Sequence, residues 1–151
     1  MDAVPVVTGS VVDLPAFQKG GTLVLGSFKP GAGAVANDET DRLSAMMIKG
    51  IRDTLPGKNS RFTISTEGQE NPDCYLDGYI ENYGNDIRST HLKLRKNQVL
   101  LSLDGEIWLR ETGAKIFFFK TSSIIDLKTQ DPKAAAYQTG IAIADFIGSQ
   151  S

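Results

Sequence analysis

The longest regular pattern in the chain runs from Gln98 to Ile125, where two strands and their turn are written as one piece. Val99, Leu101, Leu103, Ile107 and Leu109 fall on one parity, while Ser102, Asp104, Glu106, Trp108 and Arg110 fall on the other. Alternate side chains of a strand point to opposite faces, so this pattern predicts one buried face and one polar face. Gly105 sits on the apolar parity and predicts a bulge or bend at that point. Glu111–Ala114 supplies a polar turn in which Gly113 is free to take positive φ, and Lys115–Thr121 resumes as a strand. Ile116–Phe119 is apolar on both parities, which predicts a central strand or one covered on both sides.

The rest of the chain divides on the same grounds. Val6-Val7 and Val11-Val12 are strand-like, but Pro5 and Pro15 limit any strand there to short or edge pieces, so residues 1–21 are expected to form a peripheral arm. Thr22–Phe28 reads as a first buried strand, followed by a small-residue loop over Gly31–Ala36. Asn37 or Asp38 then caps a helix whose Leu43, Met47, Ile51 and Leu55 recur every four residues, with Pro56-Gly57 ending it. Arg61–Thr66 is a second strand. Asp73–Tyr83 is a third, with Leu76, Gly78 and Ile80 on one parity and Tyr75, Asp77, Tyr79, Glu81 and Tyr83 on the other. Ile87–Asn97 holds a short alternation leading into the long hairpin. Asp131-Pro132 opens a last helix that runs to Gly148. The order β-α-β-β-β-β-α, with mostly hairpin-like links, predicts an α+β two-layer sandwich. Its sheet is mixed but largely antiparallel, with two helices on one face, in a single domain over 22–148 with a tail at 149–151.

Composition narrows the class without naming an activity. At 151 residues the chain is the size of one domain. A net charge of −2 with a sequence pI near 5.4 argues against general nucleic-acid binding. The lone Cys74 has no partner for an internal disulfide, and at the start of a strand it reads as a small buried hydrophobe. No run approaches the roughly 18 apolar residues of a membrane span.

Candidate chemistry is sparse. Gly31-Ala32-Gly33-Ala34-Val35-Ala36 matches G-x-G-x-x-A, and Asp53 lies about where a ribose-binding acid is sought, so a nucleotide-binding enzyme using this loop is the alternative reading. Against it, the acidic stretch Asp38, Glu39 and Asp41 would repel a pyrophosphate. His91 is the only histidine, and no G-x-S-x-G surrounds a serine, which leaves a Ser-His-Asp relay without a recognisable nucleophile. One Cys and one His without paired spacing do not make a zinc site, and no cofactor is expected. Asp77 and Glu81 share a strand face, the placement an acid/base pair needs, but acids alternating with tyrosines fit a solvated face as well. Two surface patterns remain. Tyr75, Tyr79 and Tyr83 on one strand face suit a protein-binding patch, or core beneath a helix. His91, Lys93 and Arg95 form a cationic strip suited to an acidic partner or lipid surface, or to protecting an edge strand.

Six segments in order resemble a family of bacterial envelope lipoprotein domains that includes CsgG, LpoB and the N-terminal domain of TolB. They are "TLVLGSF", the Asn-Asp helix start ending in "DTLPG", "RFTIS", "PDCYLDGYIENYG", "LSLDGEIWLRETGAKIFFFKTS" and "DPKAAAYQTGIAIADFI". The resemblance implies a non-catalytic periplasmic accessory or adaptor domain that binds an envelope protein partner. It also implies an outer-membrane tether through a lipidated N-terminal cysteine, which this chain does not carry, so any membrane attachment belongs to a full-length precursor. No membrane-inserting segment interrupts the strands, which makes a pore role like that of CsgG unexpected.

Overall fold

The computed structural model describes residues 4–58, 60–65, 71–85 and 93–150. Along the chain come β1 (Val6–Val11), α1 (Leu14–Lys19), β2 (Gly21–Gly33), α2 (Asp38–Thr54), a 3₁₀ turn (Leu55–Gly57) and β3 (Phe62–Ile64). They are followed by β4 (Cys74–Gly84), β5 (Gln98–Leu109), β6 (Lys115–Asp126) and α3 (Pro132–Ser149). The strands form one six-stranded sheet in the order β1-β6-β5-β4-β2-β3. The three pairs from β1 to β4 are antiparallel, and β2 runs parallel to both β4 and β3. The fold is therefore the expected α+β arrangement with a mixed, largely antiparallel sheet.

Local signals account for the helix ends. Asn37 accepts from the Thr40 backbone N–H at 3.0 Å while Thr40 Oγ1 accepts from the Asn37 N–H at 3.1 Å, a reciprocal cap at the start of α2. Asp38, Glu39 and Asp41 place negative charge in the first turn, where the helix dipole favours it. At α3, Asp131 accepts from the Lys133 N–H with Pro132 in the first turn, as the sequence predicts. The two long helices pack against each other closely at Gly50 and Gly140. A side chain on Gly50 would strike the Tyr137 carbonyl and the Gly140 Cα, so both residues must be small.

Between helices and sheet lies one core. Leu23, Phe28, Leu76, Ile80, Leu101, Leu103, Ile107, Phe117 and Phe119 from the strands meet Leu43, Met47, Ile51, Ile143 and Ile147 from α2 and α3. The apolar parities of β4 and β5 are thus the buried faces, as their period of two predicts. β6 is an interior strand, but Phe118 on its other face is exposed, so it is not covered on both sides.

Three expectations change. Residues 4–20 of the expected peripheral arm are built into the fold. β1 pairs along β6 from Val6↔Ser122 to Val11↔Phe117, and α1 carries a fully buried Phe17 that stacks on Phe117 (ring centroids 5.2 Å) and meets Phe62 edge-on (5.5 Å). The prolines do confine β1 to an edge, but one aromatic anchors the segment in the core. Gly105 is not a bulge: it pairs in register with Gly78 and Phe119, and a Cβ there would enter the Phe119 ring. The missing side chain makes room for an aromatic across the strand. Finally, β2 extends to Gly33, so Gly31 and Gly33 are strand residues rather than a loop.

Candidate functional site

With α2 and α3 on one side, no helix among the described residues covers the opposite face of the sheet, whose centre is β4 and β5. Cross-strand pairs on this outer face are Tyr75↔Trp108, Asp77↔Glu106, Tyr79↔Asp104 and Asn82↔Ser102. Tyr75 stacks on Trp108 with ring centroids 4.6 Å apart and planes inclined by 19°. Trp108 Nε1 donates to Asp77 Oδ1 at 3.2 Å, which fixes the indole and so the stack. Tyr79, two residues further along β4, is 53% exposed. Around these rings the charges are paired: Lys115 meets Glu106 at 3.3 Å and Lys120 meets Asp104 at 3.8 Å. Beyond Asp104 the face flattens into a polar groove lined by Thr8, Asn82, Ser102, Asp104, Lys120 and Ser122.

Tyr83 does not join this patch. The β4–β5 register shifts between Ile80 and Asn82, so Glu81 is an extra residue on β4 and every side chain after it changes face. Tyr83 therefore pairs with Leu101, packs against the core, and donates its hydroxyl to Glu39 in the first turn of α2 at 2.8 Å. Burial, reinforced by the hydrogen bond to Glu39, raises its pKa above the ordinary phenol value. The three tyrosines thus split into two outer-face residues and one that ties sheet to helix. Lys93 and Arg95 are exposed in an irregular segment before β5 rather than on an edge strand, and His91 lies outside the described residues. Asn85 and Gln98 hold the Arg95 backbone in place, so the segment serves as a structured entry to β5.

The remaining candidates acquire structural roles. Gly33 faces Asn82 and Glu81 of β4 so closely that no Cβ fits, and α2 starts only at Asn37, so the glycines do not open the helix as a pyrophosphate cradle would. Asp53 stands at the far end of α2, roughly 24 Å along the helix axis from that start. There it accepts from the Tyr137 hydroxyl at 2.8 Å and faces Lys49 at 3.9 Å. Asp77 is engaged with Trp108, and Glu81 is the bulge residue. Cys74 is fully buried, and its thiol is pushed up to about 11 by burial and then by the neighbouring Asp73, so it stays protonated at neutral pH. Asp73 itself accepts from both the backbone N–H and the hydroxyl of Thr22, which lowers its pKa. Among the described residues no three His, Cys, Asp or Glu side chains cluster to hold a metal ion.

Sequence reasoning did not assign Trp108 to the patch, nor the exposed Phe118, which pairs with Glu106 across β5 and β6 on the same face. An aromatic on the polar parity, lying opposite a tyrosine once the hairpin is paired with β4, is the signal that points to Trp108.

No protein family is matched by the sequence, and no curated protein matches it either. Solved structures do match in fold. PelC from Paraburkholderia phytofirmans, a dodecamer, superposes with a TM-score of 0.63 at 11% identity, covering 97% of this chain and 99% of that one. A PDZ domain protein from Parabacteroides distasonis gives a TM-score of 0.53 at 11% identity over 96% of this chain and 36% of the other. A chain from Caulobacter crescentus described as a lipoprotein gives a TM-score of 0.47 at 14% identity, covering 89% and 90%. At these identities the likeness is one of fold alone. Among the described residues no helix is long and apolar enough to cross a membrane.

Proposed function

We propose that this chain is a non-catalytic accessory or adaptor domain of the bacterial envelope that binds a protein partner on the outer face of its sheet. The observation that carries the proposal is the Tyr75–Trp108 stack, fixed by Asp77 and standing beside a half-exposed Tyr79 on a face that neither long helix covers. Tyrosine and tryptophan dominate binding hot spots because they bury large areas. Rings already stacked and hydrogen-bonded in the free protein lose little further freedom on binding. The paired charges around them form a polar rim of the kind that surrounds such anchors.

The envelope location rests on the resemblance to lipoprotein domains of the CsgG, LpoB and TolB kind. In the full-length precursor a lipidated cysteine upstream of Asp2 would hold the domain at the outer membrane, on the periplasmic side. The genomic sequence upstream of Asp2 tests this part: a signal peptide ending in a lipobox cysteine supports it, and a native start at Met1 without a signal contradicts it. For the binding face, Tyr79→Ala should weaken capture of the partner while leaving the unfolding midpoint close to wild type. A loss of several kcal/mol of stability from that substitution would instead make Tyr79 a packing residue.

A further inference from the structure

The two edges of the sheet are not equivalent. On the β2–β3 side, β3 is three residues long and covers only Gly21–Leu23. Beyond it, the edge of β2 facing away from β4 is blunted: the Phe28 N–H already donates to Ser44 Oγ at 2.8 Å, and Pro30, next on the same edge, has no N–H to offer. On the other side, β1 reads Val6-Val7-Thr8-Gly9-Ser10-Val11, with no proline, no charged residue and no bulge along its pairing with β6. The Val12 N–H donates to the Ile116 carbonyl at 2.8 Å, so by alternation Val6, Thr8 and Ser10 direct their backbone groups to β6. Val7, Gly9 and Val11 direct theirs outward. Four of the nine large hydrophobic side chains exposed among the described residues lie on or beside this one strand: Val6 in it, and Val4, Val12 and Leu14 next to its ends.

We infer that β1 is a homodimer edge: two copies pair β1 against β1 in antiparallel fashion about a twofold axis at Gly9, joining two sheets into one. An uncharged open edge is the template that folded proteins ordinarily protect, and among the described residues the opposite edge is protected while Val6–Val11 is not. The strand is self-complementary in this register. Gly9 opposes Gly9 of the second copy, and Val7 opposes Val11 in both directions, so each outward N–H and C=O of these residues finds a partner. On the outer face Val6, 61% exposed, then meets Val12 of the second copy, 54% exposed, and the twofold repeats that contact. A head-to-tail chain of β1 onto β2 is disfavoured by Ser44 and Pro30, so the association closes at two. This inference stands independently of the partner face around Trp108.

Mass measurement by light scattering during size exclusion tests it on the purified chain. The expected result is a species of twice the 16.3 kDa chain mass that dissociates on dilution. Val6→Lys combined with Val12→Lys sets like charges opposite each other across the axis and should give a monomer with an unchanged circular dichroism spectrum. Val6→Lys combined with Val12→Glu sets opposite charges there and should restore the dimer. A monomeric wild type, a larger ring, two variants that both remain dimeric, or two that are both folded monomers would each overturn the inference.

Discussion

Phe17→Ala is the sharpest test of how far the domain extends toward the N-terminus. The side chain is fully buried, stacks on Phe117 and meets Phe62 edge-on, so truncation removes a large apolar surface and two ring contacts together. Emptying a buried phenylalanine site costs about 3–5 kcal/mol, the upper part of that range applying where neighbours cannot collapse into the space. Phe117 is itself held by Phe119 and Phe146, which restricts such collapse. A domain of this kind has a total stability of about 5–15 kcal/mol, so the loss is a large share of it. With a urea dependence of about 2 kcal/mol per molar, the unfolding midpoint should fall by about 2 M, read by circular dichroism. A fall below about 0.3 M, the scale of a surface substitution, would mean that α1 is not packed into the core.

The other predictions concern the cap, the glycine under Phe119 and the buried thiol. Asn37→Ala removes the reciprocal cap of α2 and should cost about 0.5–2 kcal/mol in the same urea titration, whereas Asn37→Asp should cost little. Gly105→Val drives a side chain into the Phe119 ring and should destabilise by about 1–3 kcal/mol. Shortening the ring in the double variant Gly105→Val/Phe119→Leu should recover part of that loss, and strictly additive costs would contradict the contact. Cys74 has a folded-state pKa raised from 9.0 to about 11, so its contribution to stability is complete below pH 9.0 and is lost as pH rises through about 11. Cys74→Ala should therefore flatten the decline in stability over that window, and an unaltered decline would contradict the burial of the thiol.

Much of this architecture is legible in the sequence because it is local. The alternation in β5, the Asn37 and Asp131 caps and the Gly113 turn each follow from a few neighbouring residues, and Gly113 does take positive φ, at 73°, in the turn between β5 and β6. What was not legible depends on partners distant in sequence. Pro5 and Pro15 restrict β1 to the edge of the sheet, yet nothing near Phe17 indicates that Phe62 and Phe117 wait to receive it. The bulge at Glu81 has no glycine to announce it, and that single extra residue carries Tyr83 from the expected patch to the core. Gly105 looks like a bulge in one strand and is explained only by the ring on the next. The outer-face site was half visible for the same reason: Tyr75 and Tyr79 follow from β4 alone, while Trp108 joins them only through the pairing of β4 with β5.

The most direct test of the partner face is site-specific photocrosslinking in the native cells, with a photoreactive residue in place of Tyr79 on the outer face or of Lys133, exposed on α3 at the helix layer. Adducts to a discrete second protein from position 79, absent from position 133 and lost when Trp108→Ala removes the stack, are the predicted result. Equal labelling from both positions, or none from position 79, would contradict the assignment of the outer face as the binding surface.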